Sequence, residues 1–371
     1  MQKKYTALGL MSGTSGDGID ASLVYSNGTD HLEVIKDKYF EYDSPIYKKI
    51  HSLKEKIFNS QDLSRLSKEL KDLERKITLF HAKVVNDFEF EEDPLIGFHG
   101  QTMYHNSNEK ISIQLGDAKL LYQLIKKKII FNFRKNDIKN GGEGAPLTPI
   151  FHQLIATQKN IKMPVCILNI GGISNITIIK KPIGSDEIFS KDIGPGNCLI
   201  DTWIRKNSNE KFDLDGKFAM SGKINEIILE QAQELYSNRE NKKKISFDTS
   251  DFDISFSRGL SLEDGSATLT DFTASILSES LSDLLKKEHE LDTILVCGGG
   301  RKNKTLLNAI IEKLPKNLSL KFIDDFNING DFVESQAFGY LAIRSLKKLP
   351  ITFPNTTNCK IPSTGGEIIE N

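Results

Sequence analysis

The chain has 371 residues, 38% hydrophobic and 27% charged, an ordinary soluble composition too long for one compact core, which predicts two domains. The net charge of −1 gives no electrostatic case for nucleic acid or an anionic membrane as a partner. No run of about 18 apolar residues occurs, so no membrane span is expected, and the apolar stretch near the start is too short for a secretory signal.

Taken in chain order, a first strand is predicted over residues 5–11, ending in the turn Ser12-Gly-Thr-Ser-Gly-Asp-Gly18. A second strand near 21–25, a hairpin turn at Asn27-Gly28 and a third strand near 32–40 complete a meander. Leu63, Leu66, Leu70, Leu73, Ile77, Phe80 and Val84 alternate spacings of three and four. That favours a long helix packed on a sheet or another helix over a coiled coil. Strands return at 95–98 and 129–133. A second set opens at 165–169, continues at 176–179 and includes 293–297, with helices over 266–287, 302–314 and 333–346. A pattern of strand meander, helix, strand and helix thus occurs about twice. The expected division is 1–160 and 161–371, with the boundary in the polar stretch 158–163. The lysine runs at 126–128 and 242–244 read as solvated helix ends or loops. Cys166, Cys198, Cys297 and Cys359 are far apart, with no Cys-x-x-Cys; free thiols of this kind fit a reducing, cytoplasmic compartment.

Three glycine-rich segments sit at predicted strand ends. The richest spans Gly13, Thr14, Ser15, Gly16, Asp17, Gly18, Ile19 and Asp20. Glycines let backbone N–H groups turn toward a phosphate, and Thr14 and Ser15 add hydroxyls. Asp17 and Asp20 suit Mg²⁺ held through water, since Mg²⁺ takes oxygen ligands and keeps much of its hydration; the plainer alternative is a hairpin loop. The second segment carries Gly171 and Gly172. The third carries Gly298, Gly299 and Gly300, with Asn303 just before a helix whose N-terminal N–H groups favour a flat or anionic ligand. Gly216-x₆-Lys223 fails the P-loop spacing, and the protein-kinase motifs are absent.

Asp192, in Lys191-Asp-Ile-Gly-Pro-Gly-Asn-Cys198, is placed just after a strand and before a helix. There it could accept a proton in a cleft, or instead cap the helix or lie against backbone N–H groups. His99, Gln101 and Thr102 are expected on one loop past a strand, offering mixed polar heads to hydroxyls and an amide. Arg134 could grip a carboxylate in bidentate fashion, ahead of a flexible, hinge-like turn at 140–146.

Together these segments, with Gln114-Leu-Gly-Asp-Ala118 and stretches at 131–152, 212–222, 267–273 and 334–341, resemble the anhydro-N-acetylmuramic acid kinases over almost the whole chain. That family lies in the superfamily of sugar kinases, the heat-shock ATPase and actin. The resemblance implies an α/β fold of two actin-like (ribonuclease H-like) lobes, with mixed sheets flanked by helices, a central cleft and a last helix able to pack back on the first lobe. It implies ATP as phosphoryl donor and 1,6-anhydro-N-acetylmuramic acid as acceptor, with water opening the anhydro bond. Asp192 then matches the catalytic base, residues 13–20 the phosphate loop, and Gly298, Gly299 and Gly300 the segment near the nucleoside. Glu334 is the next candidate base. A homodimer is compatible with this resemblance. Gly16 stands where leucine is usual, loosening the loop; Asn132 where aspartate is common; Glu143 where glutamine is common; and Phe256-Ser-Arg-Gly-Leu-Ser261 departs from the family's Ser-Thr-Gly-Arg-Glu stretch. A kinase of another sugar or sugar acid, or a non-catalytic ATP-binding module, are the alternatives.

Overall fold

The structure, a computed structural model, describes residues 3–183, 187–238, 246–286, 288 and 290–370; the lysine run 242–244 and Lys287, at the end of a predicted helix, lie outside them. In chain order the strands are β1 (Tyr5–Ser12), β2 (Gly18–Ser26), β3 (Leu32–Glu41), β4 (Leu95–Asn106), β5 (Ile111–Leu115), β6 (Ile129–Phe131) and β7 (Val165–Ile170). There follow β8 (Ile173–Ile179), β9 (Ile188–Pro195), β10 (Thr293–Cys297), β11 (Ser319–Phe322), β12 (Pro350–Thr352), β13 (Ser363–Thr364) and β14 (Glu367–Ile369). The helices are α1 (Ser44–Lys54), α2 (Ser60–Arg65), α3 (Ser67–Asn86), α4 (Ala118–Ile125), α5 (Lys135–Lys139), α6 (Pro149–Gln158) and α7 (Cys198–Asn207). After them come α8 (Lys217–Ser221), α9 (Glu226–Ser237), α10 (Leu262–Leu285), α11 (Lys304–Lys313), α12 (Val333–Leu346) and α13 (Pro354–Thr357).

The chain divides into two compact units: Met1–Lys162 with Ile179–Ser190 and Phe332–Asn371, and Met163–Ile178 with Lys191–Asp331. The C-terminal segment, helix α12 included, therefore lies in the first unit. The sheet of that unit runs β14-β6-β4-β1-β2-β3, with β5 beside β4. Strands β1, β2 and β3 form an antiparallel meander, while β4 runs parallel to β1 and β6 parallel to β4. The other sheet runs β11-β10-β7-β8-β9. There β7 and β8 are joined by Gly171-Gly172 alone, which only antiparallel neighbours can share, and β10 lies parallel to both β7 and β11. Each sheet thus orders its meander third, second, first and then adds two parallel strands beside the first.

In the first unit β1 is covered on both faces, so its hydrophobic run is nearly continuous. Leu8 and Leu10 enter a core with Ile46, Ile50, Leu73, Ile77 and Phe98, while Gly9 turns to the opposite face, beneath α12. Helix α12 is buried on almost every side, as expected of a helix inside a core and not of a surface amphipathic one. The predicted helical seam breaks at Leu66, whose backbone leaves the helical region, giving α2 and α3. In the second unit α10 is the central helix. Gly265 lets it pass directly against the Trp203 ring, where a Cβ would lie 2.2 Å from a ring carbon.

Several boundaries differ from expectation. The turn after β1 is shorter, because Gly18, Ile19 and Asp20 are already strand residues, paired with Glu41, Phe40 and Tyr39. Asn27-Gly28 is not a two-residue hairpin: the Asn27 side chain accepts from the backbone N–H groups of Thr29, Asp30 and His31, closing a longer loop. Strand β4 does not stop at Phe98. Gly100, at φ +77°, absorbs a bulge where the register with β1 shifts between Leu10 and Ser12, and the strand continues alongside β5. His99, Gln101 and Thr102 therefore stand on a strand, not a loop. Asp192 likewise lies inside β9 rather than after a strand.

Candidate active site

In the first unit the turn 13–17 joins the central strand to its hairpin partner and is tied down from several sides. Gly16 N donates to Gly13 O (3.1 Å), and Gln101 Nε2 donates to the same carbonyl (3.0 Å). Lys54 Nζ donates to Thr14 O (2.8 Å), and Tyr42 N to Asp17 O (2.9 Å). Ser12 Oγ lies 2.9 Å from Gly18 O and 2.6 Å from Gln101 Oε1, and accepts from the Tyr42 hydroxyl at 3.1 Å. The carbonyls of Gly13, Thr14 and Asp17 thus each accept a hydrogen bond from within the protein, and the single Ser12 hydroxyl proton is shared between Gly18 O and Gln101 Oε1.

Gly16 does not loosen this turn. It is buried at φ +61°, and a Cβ there would sit 2.8 Å from Ile50 Cγ2, so the backbone is left-handed and closely packed, which suits glycine. Ile19 was expected among the ligand-binding residues, but its side chain is fully buried in the core. Gln101 is also fully buried, with both ends of its amide engaged on the turn. It pins the turn and presents no polar head outward. Thr102, half-buried, accepts weakly from Gln114 Nε2 (3.4 Å).

Ser15 Oγ donates to Asp17 Oδ1 at 2.5 Å. Beside them stands Tyr39, whose phenol is pushed above its ordinary range by burial and then by the carboxylates of Asp17, Glu41 and Asp20. Negative charge gathered at this point suits a hard divalent cation. Among the described residues no group of three His, Cys, Asp or Glu side chains is disposed to hold a metal directly.

His99 is buried and held far below its usual range by burial and then by the Arg134 charge. Its partners fix the tautomer: Nδ1–H donates to Gly100 O (2.8 Å), and Nε2 accepts from Arg134 Nη2 (3.0 Å). Arg134 Nη1 donates to Gly144 O (2.8 Å). The turn 140–146 is clamped and not hinge-like. Asp137, fully enclosed, accepts from Gly144 N (2.7 Å) and from Thr357 Oγ1 (2.6 Å), and Lys110 Nζ donates to Gly141 O and Gly142 O (3.1 and 3.2 Å). Asn132 has φ +56° and its amide donates to Glu367 Oε2 at 3.2 Å. An aspartate there would face Glu367 with like charge, which accounts for the asparagine.

In the second unit the remaining motifs meet. Cys297 and Asn169 are register partners on β10 and β7. The following Gly298, at φ +82°, leaves only 2.3 Å between a built Cβ and Asn169 Oδ1, and Gly300 only 2.2 Å to Ile170 Cγ2. Gly299 alone of the three faces open space, with nothing within 4 Å. Gly171 O and Gly172 O accept from Asn197 N (2.8 Å) and Gly196 N (2.9 Å), which brings the second glycine turn onto the segment that follows Asp192. Asp192 is buried and Oδ2 accepts from Phe247 N (2.8 Å). Asn303, expected among the cofactor-binding residues, caps α11, its Oδ1 accepting from Leu306 N (3.0 Å).

Tyr42, Lys54 and Phe247 escaped the sequence reading. Each reaches its site from a distant part of the chain, and none belongs to a local motif.

A model of the family described as anhydro-N-acetylmuramic acid kinase matches residues 5–371. A protein of Pelagibacter ubique named anhydro-N-acetylmuramic acid kinase is 52% identical, with 100% of each chain covered. Its namesake in Bradyrhizobium diazoefficiens is 35% identical over 98% of each, and that of Zymomonas mobilis 35% identical over 98% of this chain and 99% of its own. A solved structure, the activator of the 2-hydroxyisocaproyl-CoA dehydratase from Clostridium difficile, is 11% identical with a TM-score of 0.40, covering 92% of this chain and 96% of its own. The family match and the relatives, at 35–52% identity along the whole chain, agree: the chain belongs to the anhydro-N-acetylmuramic acid kinase family.

Proposed function

We propose that this chain is an ATP-dependent kinase that opens 1,6-anhydro-N-acetylmuramic acid with water and phosphorylates its 6-oxygen. The products are N-acetylmuramic acid 6-phosphate and ADP, in the cytoplasmic recycling of peptidoglycan. The observation that carries this is Asp192: a buried carboxylate oriented by the Phe247 N–H (2.8 Å), in a chain matched to that family over residues 5–371.

Asp192 takes the proton of the attacking water. Water is a poor nucleophile, and a positioned base contributes roughly 10²–10⁴-fold. Water bonds to the anomeric carbon, the bond from that carbon to the 6-oxygen breaks, and the 6-oxygen takes the γ-phosphoryl as ADP leaves. Backbone N–H groups of the turn 13–17 other than that of Gly16, which is bonded to Gly13 O, receive the phosphates. The carbonyls of Gly13, Thr14 and Asp17 are already committed inside the protein, so the turn keeps its shape on binding. Mg²⁺, held through water by Asp17 and Asp20, would neutralise charge on the phosphoryl oxygens. Gly299 faces the nucleoside. Arg134, already set by His99 and Gly144 O, reads the lactyl carboxylate of the sugar, and Thr102, on β4 with His99, offers its hydroxyl to the sugar. Among the described residues no helix is long and apolar enough to cross a membrane. The four cysteines are free thiols, which supports a reducing compartment.

The test supplies ATP and Mg²⁺ with the anhydro sugar, N-acetylmuramic acid or N-acetylglucosamine, in water enriched in heavy oxygen. The expected result is phosphorylation of the anhydro sugar far above the others, with heavy oxygen at the anomeric position. Efficient phosphorylation of N-acetylglucosamine with the anhydro sugar inert would leave a kinase of another sugar.

A further inference from the structure

Arg301, immediately after the triple glycine, is nearly buried, its side chain 8% exposed, and its guanidinium is committed on every side. Nε and Nη2 donate to the two oxygens of Asp324 (2.8 and 3.1 Å), a bidentate pair. Nη1 donates to Asp331 Oδ1 (2.6 Å) and to Gly298 O (3.2 Å). Lys302 Nζ holds the other oxygen of Asp331 (2.7 Å). Gly330 closes the ring: its N–H donates to Asp324 Oδ1 (3.2 Å), its carbonyl accepts from Gly298 N (3.0 Å), and a Cβ there would lie 2.5 Å from Arg301 Nε.

Arg301 is desolvated while Asp324 and Asp331 remain partly exposed (41% and 31%), so desolvation on one side and solvent screening on the other leave the cluster little net stability. What it supplies is a fixed geometry. Two of its bonds end on Gly298 itself, one through the guanidinium and one through Gly330. Gly298 and Gly300 are wedged against Asn169 and Ile170, and Gly299 is left as the single open position between them.

We propose that Arg301 is a positioning residue for the nucleotide: by clamping Gly298 to Asp324, Gly330 and Asp331, it holds the Gly299 backbone flat for the nucleoside of ATP. This rests on the kinase reading above. A lysine at 301 cannot serve, since one ammonium cannot reach both carboxylates and the Gly298 carbonyl with a planar fork.

The experiment uses the full chain with saturating anhydro sugar and varied ATP, in the wild type, Arg301→Lys, Gly299→Ala and the double variant, with thermal unfolding alongside. Gly299→Ala adds a methyl group where nothing lies within 4 Å, so it leaves the melting temperature unchanged and reports ligand contact alone. The expected result is a KM for ATP raised about 10-fold or more in each single variant, with kcat within about 3-fold. The double variant falls well short of the product of the two, because both act on one surface. Should Arg301→Lys fail to fold, Asp331→Asn, which keeps the shape and removes one partner charge, takes its place with the same expectation. A lowered melting temperature with an unchanged KM for ATP would reduce Arg301 to a purely structural residue and overturn the proposal. Absence of ATP binding to the wild type by calorimetry would instead overturn the kinase reading, and the proposal with it.

Discussion

Gly9 and Gly97 stand opposite each other in register on β1 and β4, and helix α12 lies directly on both. A Cβ on Gly9 would sit 2.0 Å from Ser335 O, and one on Gly97 2.4 Å from Phe338 O. The neighbouring atoms are helix backbone, which cannot rotate away. Gly339, on the helix side, is also close-packed, with 2.7 Å to Val24 Cγ2. Gly9→Ala is therefore expected to cost at least about 3 kcal/mol, at the upper end of overpacking. Urea unfolding checks it; a loss under about 1 kcal/mol would mean that α12 can lift off the sheet.

Gln101 separates two roles. If it pins the turn 13–17, Gln101→Glu sets a carboxylate oxygen against Gly13 O, now 3.0 Å from the amide nitrogen. The expected outcome is a KM for ATP raised about 10-fold, with the sugar KM changed less than about 3-fold. Steady-state kinetics varying each substrate in turn decides it. A selective rise in the sugar KM would return Gln101 to sugar binding.

Asp192→Asn keeps an oxygen for the Phe247 N–H (2.8 Å) and removes only the basicity. The fold and nucleotide affinity should persist while turnover falls roughly 10²-fold or more. Near wild-type turnover would move the base elsewhere, to Glu334 first.

Acid should destabilise the protein. Burial holds His81 down to about 4 and His152 to about 3. His99 is held well below its ordinary value by burial and then by Arg134. The unfolded chain's histidines titrate near 6.5, so below that pH it takes up protons that the folded chain refuses. The stabilisation is complete above about pH 6.5 and is lost as pH falls toward the folded values. At about pH 5.5 the loss is about 1.4 kcal/mol for each of His81 and His152, roughly 3 kcal/mol for the two, with His99 acting in the same direction. Asp37, raised by burial, opposes this as a single half-exposed group. Urea midpoints at about pH 7.5 and 5.5 measure it, and equal midpoints would contradict it.

Period and punctuation carry much of this fold. The apolar runs of β1, β7 and β10, and of α12, are legible because elements buried on both sides need nearly unbroken hydrophobic sequence. The glycine segments mark the strand ends for the same local reason: left-handed backbone at Gly16 and Gly298 favours glycine wherever it occurs. The family, too, was legible, because its motifs span almost the whole chain. Pairing decided the rest. The extension of β4 beyond Gly100 depends on β5, and the short strands β11 and β14 exist through neighbours that complete their hydrogen bonds. The roles of Gln101 and Arg301 are tertiary in the same way. A polar side chain reads identically in sequence whether it faces a ligand, a helix end or a distant carbonyl, and only the fold supplies the partner that decides among them.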